Sequence, residues 1–236
     1  MDTIKVSLPH TKVISDGGCN FIEIDNSYNA FLASCNRNYY GIKCDLRFTK
    51  DRVMIASRNR DLRKMTSHKI HVSQSLYDDL KIIPLKNSPY NHLVTLSEFL
   101  LLTKKYTKIA CIELKPPIGN IEITQLINEI TTHKRNKYCK IIASDLKYLR
   151  YIRTLDLEVN LEIRTNVFTD ELFYDAIKYH LDICLNSNII SKDLVGLCHE
   201  NRLKICAVAN DPISSIMLSD MEVDYIYTNI LEKKNL

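Results

Sequence analysis

Short apolar runs alternate along the chain with amphipathic stretches of helical length. The apolar runs are rich in β-branched residues and predict eight strands, over residues 11–15, 41–46, 108–114, 139–144, 158–163, 182–185, 203–209 and 224–228. The stretches between them repeat apolar residues every three or four positions and predict helices over 26–35, 95–104, 120–133, 145–155, 170–179, 191–200 and 212–219. Four predicted helices begin at residues of the N-capping type: Asp145, Thr169, Ser191 and Asp211.

Strands that alternate with helices predict a parallel sheet covered by helices. Eight such units of about 30 residues each favour a closed (β/α)₈ TIM barrel over an open sheet. We therefore expect a single barrel domain over residues 1–236. Residues 49–91, after the second predicted strand, do not fit a simple strand–helix unit and predict a short insertion, called here the excursion. Few residues follow the last predicted strand, so its helix is expected to be short or missing.

Composition narrows the class of protein. Of the 236 residues, 45% are hydrophobic and 25% are charged, which is typical of a globular protein and argues against disorder or a coiled coil. The net charge of +4 comes without a concentrated basic block, so no nucleic-acid partner is expected. No apolar run of about 18 residues predicts a membrane span, and the first residues lack the pattern of a secretory signal.

The eight cysteines predict buried, reduced thiols. Several of them, such as Cys44 and Cys111, lie within apolar runs that predict strands, and no Cys-x-x-Cys motif occurs. We therefore expect a cytoplasmic protein, with one incidental disulfide left open as the alternative.

Barrel geometry predicts where function lies. The functional side chains of TIM barrels lie at the carboxyl ends of the strands, and residues two apart on a strand point to the same side. Lys43 and Asp45 form such a pair on the second predicted strand, and Glu113 and Lys115 form another on the third. Two charged pairs on neighbouring strands favour a functional site over ordinary surface pairs.

The order of motifs in the chain resembles the glycerophosphodiester phosphodiesterase family. That family begins with His-Arg-Gly and Pro-Glu-Asn-Thr, where this chain has Asp16-Gly17-Gly18 and Ile24-Asp25-Asn26-Ser27. The family pattern Gly-x-Glu-x-Asp-x-x-x-Thr-x-Asp-Gly is similar to the run from Gly41 to Arg52. Further matching stretches cover nearly the whole chain: 58–66 for His-Asp-x-x-Leu-x-Arg-x-Thr, 113–115 for Glu-x-Lys, 207–210 for Trp-Thr-x-Asn and 222–229 for Gly-Val-Asp-Gly-Ile-x-Thr-Asp.

The resemblance implies a TIM barrel and a phosphoric diester hydrolase of lipid metabolism. The family uses two histidines as general acid and base, and a divalent cation held by three carboxylates. Carried over, the histidine positions become Asp16 and Arg58, and one metal-binding Glu becomes Lys43. Asp45 and Glu113 remain as metal ligands, and Lys115 resembles the phosphate-contacting lysine of the family.

These replacements predict lost catalysis. Arginine stays protonated and does not accept a proton, whereas histidine titrates near neutral pH. A protonated lysine supplies no lone pair to a metal. Three carboxylates with a divalent ion carry the same net charge as Lys43 with Asp45 and Glu113. The hypothesis that follows is that Lys43 replaces the metal, so that no cofactor is needed.

We therefore expect a degenerate family member, a pseudoenzyme that binds a small phosphate-containing ligand through Lys115, Arg58 and Lys64. The sequence leaves open a scaffold without any ligand, its charges simply solvated. It also leaves open an active phosphodiesterase that uses Mg²⁺ or Ca²⁺ and a rearranged site, in which His68 and His71 of the excursion replace the lost histidines. An unrelated barrel enzyme is a more distant alternative. Protein partners and oligomeric state stay undetermined.

Overall fold

The computed structural model describes residues 2–86 and 90–234, and eight of its strands close into a parallel barrel. The strands are β1 (Ile4–Val6), β2 (Lys12–Asp16), β3 (Gly41–Phe48), β4 (Met54–Ala56), β5 (Ile109–Leu114), β6 (Cys139–Ala143), β7 (Asn160–Arg164), β8 (Leu181–Asn186), β9 (Ile205–Val208), β10 (Tyr225–Thr228) and β11 (Leu231–Lys233). Strands β3 and β5 to β10 follow one another around the barrel, and β2 pairs with both β3 and β10 to close it.

Helices surround the barrel, as the pattern of apolar residues predicts. They are α1 (Tyr28–Cys35), α2 (Tyr77–Lys81), α3 (Leu96–Lys105), α4 (Asn120–Thr132), α5 (Leu146–Leu155), α6 (Asp170–Tyr179), α7 (Lys192–Glu200) and α8 (Pro212–Asp220). All eight predicted strands and all seven predicted helices are present, with ends that differ by at most two residues. Each of the four predicted N-caps accepts a hydrogen bond from a backbone N–H of the first helical turn, which satisfies a donor that the helix leaves unpaired.

The core has two layers, one on each face of the barrel strands, because successive side chains of a strand point to opposite faces. Outward-pointing residues such as Cys44 and Ile112 pack against the helices in one large cluster. Inside the barrel, Cys111, Ile142, Cys184 and Tyr227 belong to a smaller apolar cluster. Because the inner cluster is small, charged side chains occupy much of the remaining barrel interior.

The excursion after β3 carries elements that periodicity did not predict. Strand β4 turns back antiparallel to β3, and later in the excursion one 3₁₀ turn (Val72–Gln74) precedes α2. Ile55, Leu62, Val72 and Leu80 form a separate hydrophobic cluster beneath it. The excursion therefore has its own buried apolar support beside the barrel mouth.

The segment after β10, for which the sequence predicts a short or missing helix, contains a further strand. Within the described residues it forms β11, which pairs in parallel with β1 in a two-stranded sheet, Ile4 opposite Leu231 and Val6 opposite Lys233. Three-residue strands give too little alternation to be recognised in the sequence, and their pairing joins segments more than 200 positions apart.

All eight cysteines lie in the described residues, and all are buried and free of disulfides. Burial disfavours the thiolate and raises the pKa of Cys35, Cys111, Cys139 and Cys184 to about 12. These thiols therefore behave as small apolar side chains. In the described part of the chain, no helix has the length and apolar character needed to cross a membrane.

Candidate functional site

The register of three neighbouring strands gathers four charged residues at the carboxyl end of the barrel. Asp16, the last residue of β2, lies opposite Lys43 of β3. Two residues further along β3, Asp45 lies opposite Glu113 of β5. Since Lys43 and Asp45 point to the same side of their strand, all four side chains meet inside the mouth.

Lys43 lies at the centre of this group and is 1% exposed. Its Nζ is 2.9 Å from Asp16 Oδ1, 2.8 Å from Asp45 Oδ1 and 2.7 Å from Glu113 Oε2. Burial alone would lower the pKa of Lys43, but the three carboxylates outweigh it and raise that pKa above its ordinary value. The ammonium is therefore a permanent cation surrounded by three anions.

Arg58 reaches the same carboxylates from the segment after β4. Its Nη2 donates to Asp16 Oδ1 over 2.9 Å, and its Nε donates to Asp25 Oδ2 over 2.8 Å and lies 3.3 Å from Asp45 Oδ2. Burial lowers the pKa of Arg58, but the charges of Asp45, Asp16 and Asp25 outweigh burial and raise that pKa above its usual range. Asp25 was not predicted, because only the fold brings it next to Arg58.

Two further cations complete the group. Lys115 Nζ is 3.0 Å from Asp45 Oδ1 and also contacts Glu113 Oε1, and Arg164 Nη1 is 2.9 Å from Glu113 Oε2. The eight residues are called here the ion cluster: Asp16, Asp25, Lys43, Asp45, Arg58, Glu113, Lys115 and Arg164. Four positive and four negative charges make it neutral as a whole.

The cations of the cluster lower the pKa of Asp45 and Glu113, whereas burial raises the pKa of Asp25. Burial would raise the pKa of Glu113, but Lys43, Arg164 and Lys115 together lower it from 4.5 to about 2. For Asp45, burial is likewise outweighed by Lys43, Lys115 and Arg58, and its pKa falls well below the ordinary value. Both carboxyls are therefore ionised at neutral pH and are partners of the cations.

Asn26 fixes Asp45 from the loop before α1. Its Nδ2 donates to Asp45 Oδ2 over 2.8 Å, and its Oδ1 accepts from the backbone N–H of Asp45 over 2.8 Å. Asn26 is fully buried and has a positive φ of 60°, a conformation that asparagine adopts more readily than most residues. The sequence shows it only as one residue of the 24–27 motif, without this role.

Gly17 leaves room for the cluster to close. It has a φ of 78°, and a Cβ at this position would lie 1.9 Å from Asp25 Oδ1 and 2.9 Å from Arg58 Nη2. Its backbone N–H donates to Lys43 O, and its carbonyl accepts from Asn26 N–H. A side chain at position 17 would therefore displace the pair of Arg58 and Asp25.

The three residues predicted to bind a ligand line two different cavities. Arg58 and Lys64 line one cavity of about 220 Å³, together with Asn20 and Asp25. Lys115 lines a different cavity of about 530 Å³, which His71 also borders. His68 is exposed and belongs to the lining of neither cavity. The path of the excursion decides this division, and no sequence periodicity specifies that path.

Deeper in the barrel, Glu162 forms a second polar group. It is fully buried, and its Oε2 lies 3.1 Å from Lys140 Nζ and accepts hydrogen bonds from Tyr227 OH and Cys206 Sγ. Lys140 Nζ is also 2.7 Å from Asp182 Oδ2. Arg164 connects this polar group with the ion cluster, since its Nη2 is 3.9 Å from Glu162 Oε1. None of these residues was singled out from the sequence as part of a site.

Within residues 2–86 and 90–234, no group of three or more His, Cys, Asp and Glu side chains is arranged to hold a metal ion. Asp45 and Glu113, the two predicted metal ligands, are instead joined by Lys43.

Comparison with known proteins identifies relatives of the whole barrel. The model of the glycerophosphoryl diester phosphodiesterase family matches residues 16–229. Among solved structures, a glycerophosphodiester phosphodiesterase from Parabacteroides distasonis has 20% identity and a TM-score of 0.81, with 93% of each chain covered.

Two further solved structures have the same fold. A phosphodiesterase from Oleispira antarctica, in complex with the product sn-glycerol-3-phosphate, has 14% identity and a TM-score of 0.86, with 93% of each chain covered. A protein from Galdieria sulphuraria described as a glycerophosphodiester phosphodiesterase has 14% identity and a TM-score of 0.83, with 98% of this chain and 96% of that chain covered. No curated protein matches the sequence.

Proposed function

The chain belongs to the glycerophosphoryl diester phosphodiesterase family, and we propose that it is a catalytically degenerate member that binds a phosphate-containing ligand without hydrolysing it. The observation that carries this proposal is the contact of Lys43 Nζ with Asp16, Asp45 and Glu113.

The residues present do not fit a divalent cation. A metal at this place would need lone pairs from the carboxylates that Lys43 already occupies, and the ammonium itself supplies none. The positive charge of Lys43 would also repel the ion at short range. We therefore propose that Lys43 serves as the internal cation of the barrel mouth, where it balances charge but does not supply the Lewis acidity of a metal.

The two positions that resemble the family histidines support the same conclusion. Arg58 stays protonated, so it does not act as a general base. Asp16 Oδ1 faces both Lys43 Nζ and Arg58 Nη2 at 2.9 Å. Both positions thus belong to a charge-paired structure in place of a proton-transfer pair.

The ligand is proposed to be an organic phosphate of the glycerol phosphate type. A structural relative from Oleispira antarctica holds sn-glycerol-3-phosphate. In this chain, two cavities at the mouth have cationic linings, one with Arg58 and Lys64 and the other with Lys115, and guanidinium and ammonium groups both suit a phosphate. Lipid metabolism is the corresponding setting, and the buried thiols accord with a cytoplasmic location.

Hydrolysis of glycerophosphodiesters in the presence of Mg²⁺, Ca²⁺ or Mn²⁺ tests the proposal. We expect no turnover above the rate without protein, with the Oleispira antarctica phosphodiesterase as positive control. A turnover number within about a hundredfold of the typical kcat of roughly 10 s⁻¹ would refute the proposal that the protein is catalytically degenerate. Calorimetric titration with each ion is the second measurement, and saturable binding at millimolar concentration would refute the internal-cation role of Lys43.

One observation favours an active hydrolase as the second candidate. His71 borders the same cavity as Lys115, so an imidazole and a phosphate-binding cation lie on one surface. If turnover is found, His71→Ala should abolish it under this alternative, whereas His68→Ala should not, because His68 does not line that cavity.

A further inference from the structure

A cavity of about 530 Å³ opens beside the ion cluster, between the excursion and the loop that follows β5. Its cationic lining consists of Arg47, Arg60 and Lys115, and Pro116, Pro117 and Tyr148 supply apolar surface. It is called here the arginine groove. The volume lies in the range of roughly 300–1,000 Å³ that is typical of small-molecule sites.

Arg47 is held in place by backbone carbonyls. Its Nη1 donates to Pro116 O over 3.1 Å, and its Nη2 donates to Arg58 O over 3.0 Å. Its Nε is buried and has no hydrogen-bond partner among the residues that the structure describes. These two hydrogen bonds hold the guanidinium in one orientation, and because both acceptors are neutral carbonyls they leave its charge in place.

The groove differs from the ion cluster in its charge balance. Every cation of the cluster contacts a carboxylate, whereas within residues 2–86 and 90–234 no ion pair involves Arg47 or Arg60. Burial lowers the pKa of Arg47, the positive charge of Arg60 lowers it further, and the charge of Asp45 offsets these two effects only in part. Two neighbouring guanidinium groups without an ion-pair partner repel each other, and an oxyanion between them would remove that repulsion.

We propose that the arginine groove binds the phosphate group of a small organic phosphate through Arg47 and Arg60. The inference rests on the proposed function only in taking the ligand to be a phosphate. The proposed phosphate site thus lies outside the neutral ion cluster and away from Lys64, beside two arginines that make no ion pair in the described residues. The organic part of the ligand packs on Pro116, Pro117 and Tyr148.

Arg60→Gln is the informative variant. The Arg60 side chain is exposed and makes no ion pair in the described structure, and its fold contact is the backbone carbonyl that accepts from Val72 N–H. Arg63→Gln is the matched control, because Arg63 is an exposed arginine of the same segment outside the groove. Lys64→Gln reports on the other cavity.

Calorimetric titration with sn-glycerol 3-phosphate and with inorganic phosphate measures the effect. We expect saturable binding that weakens at high salt, at least about tenfold weaker in Arg60→Gln and unchanged within twofold in Arg63→Gln. Tighter binding of glycerol phosphate than of inorganic phosphate would place the organic part on the apolar wall. Vesicles that contain phosphatidic acid form a third arm, and retention that Arg60→Gln abolishes would assign the phosphate to a lipid.

Two results would overturn the inference. The first is the absence of saturable binding with all three probes. The second is binding that Arg60→Gln leaves intact, and if Lys64→Gln then weakens it, the ligand lies in the other cavity and the proposed function survives without the groove. Hydrolysis is measured separately, so turnover would refute the proposed function while the groove is judged by binding alone.

Discussion

Asp16 and Arg58 lie 42 positions apart in the chain, and Arg58 Nη2 donates a hydrogen bond of 2.9 Å to Asp16 Oδ1. These are the two positions that resemble the catalytic histidines of the family. The two side chains meet across the barrel mouth, where an acid is paired with a permanent cation.

Replacement of Lys43 should destabilise the protein strongly. Lys43→Met leaves Asp16, Asp45 and Glu113 with less compensating charge in a buried place, and breaking such a pair typically costs about 3–5 kcal/mol. Urea unfolding measures the change, with Lys50→Met as control because Lys50 is exposed at the end of β3. A loss below about 1 kcal/mol in Lys43→Met would contradict the central role of this ammonium.

The ion cluster should control acid stability. The pKa of Glu113 is lowered on folding from 4.5 to about 2, so its stabilising effect is fully present above about pH 4.5 and is lost as the pH falls toward 2. Glu113→Gln should therefore be less stable at pH 7 by about 2–4 kcal/mol. The difference from wild type should shrink between pH 4.5 and 2, as measured by urea unfolding at each pH.

Glu158→Gln is the control for that experiment, since Glu158 is 64% exposed and lies 3.6 Å from Lys137. Exposed pairs contribute about 0–1 kcal/mol, so this variant should follow the wild-type curve. A constant difference between wild type and Glu113→Gln over the whole pH range would show that Glu113 acts through packing instead of charge.

Two glycines should respond to alanine in opposite directions. Gly17→Ala puts a Cβ 1.9 Å from Asp25 Oδ1 at a positive φ, so it should destabilise by more than about 1 kcal/mol. Gly196 lies in α7 with open space where its Cβ would be, so Gly196→Ala should stabilise by about 0.5–1 kcal/mol. Thermal unfolding of the two variants measures the change in Tm, and equal changes in Tm would rule out the close approach at Gly17.

The deeper polar layer should also be sensitive. Lys140→Met removes the cation that faces Asp182 and the fully buried Glu162, so a loss of about 3–5 kcal/mol is expected in urea unfolding. Lys137→Met changes an exposed lysine three residues away and should alter stability by less than about 0.5 kcal/mol. Similar small losses in both variants would mean that Tyr227, Cys206 and Arg164 stabilise Glu162 without Lys140.

The barrel was predictable because its elements are long enough to show periodicity. Strand β5 and helix α4, for example, repeat apolar residues over six or more positions, and their predicted ends are close to those observed. Strands β1 and β11 were missed since each has three residues and pairs with a partner distant in sequence. Local pattern carries no signal for such pairing.

Strand alternation predicted part of the ion cluster, and the resemblance to the family added Asp16 and Arg58. Alternation on β3 and β5 identified Lys43, Asp45 and Glu113, and the structure brings these three together. Arg164 was missed because it reaches Glu113 from β7. Asn26 was missed because it lies in a loop, where it has a positive φ. Their roles depend on tertiary distances that no single segment contains.

The cation at the centre of the mouth is covalently part of β3. An ion held by carboxylates dissociates and returns at rates that depend on its concentration around the protein, whereas the Lys43 ammonium is present as soon as the chain is synthesised. The compensation of the charges of Asp16, Asp45 and Glu113 by Lys43 therefore does not depend on the concentration of metal ions around the protein.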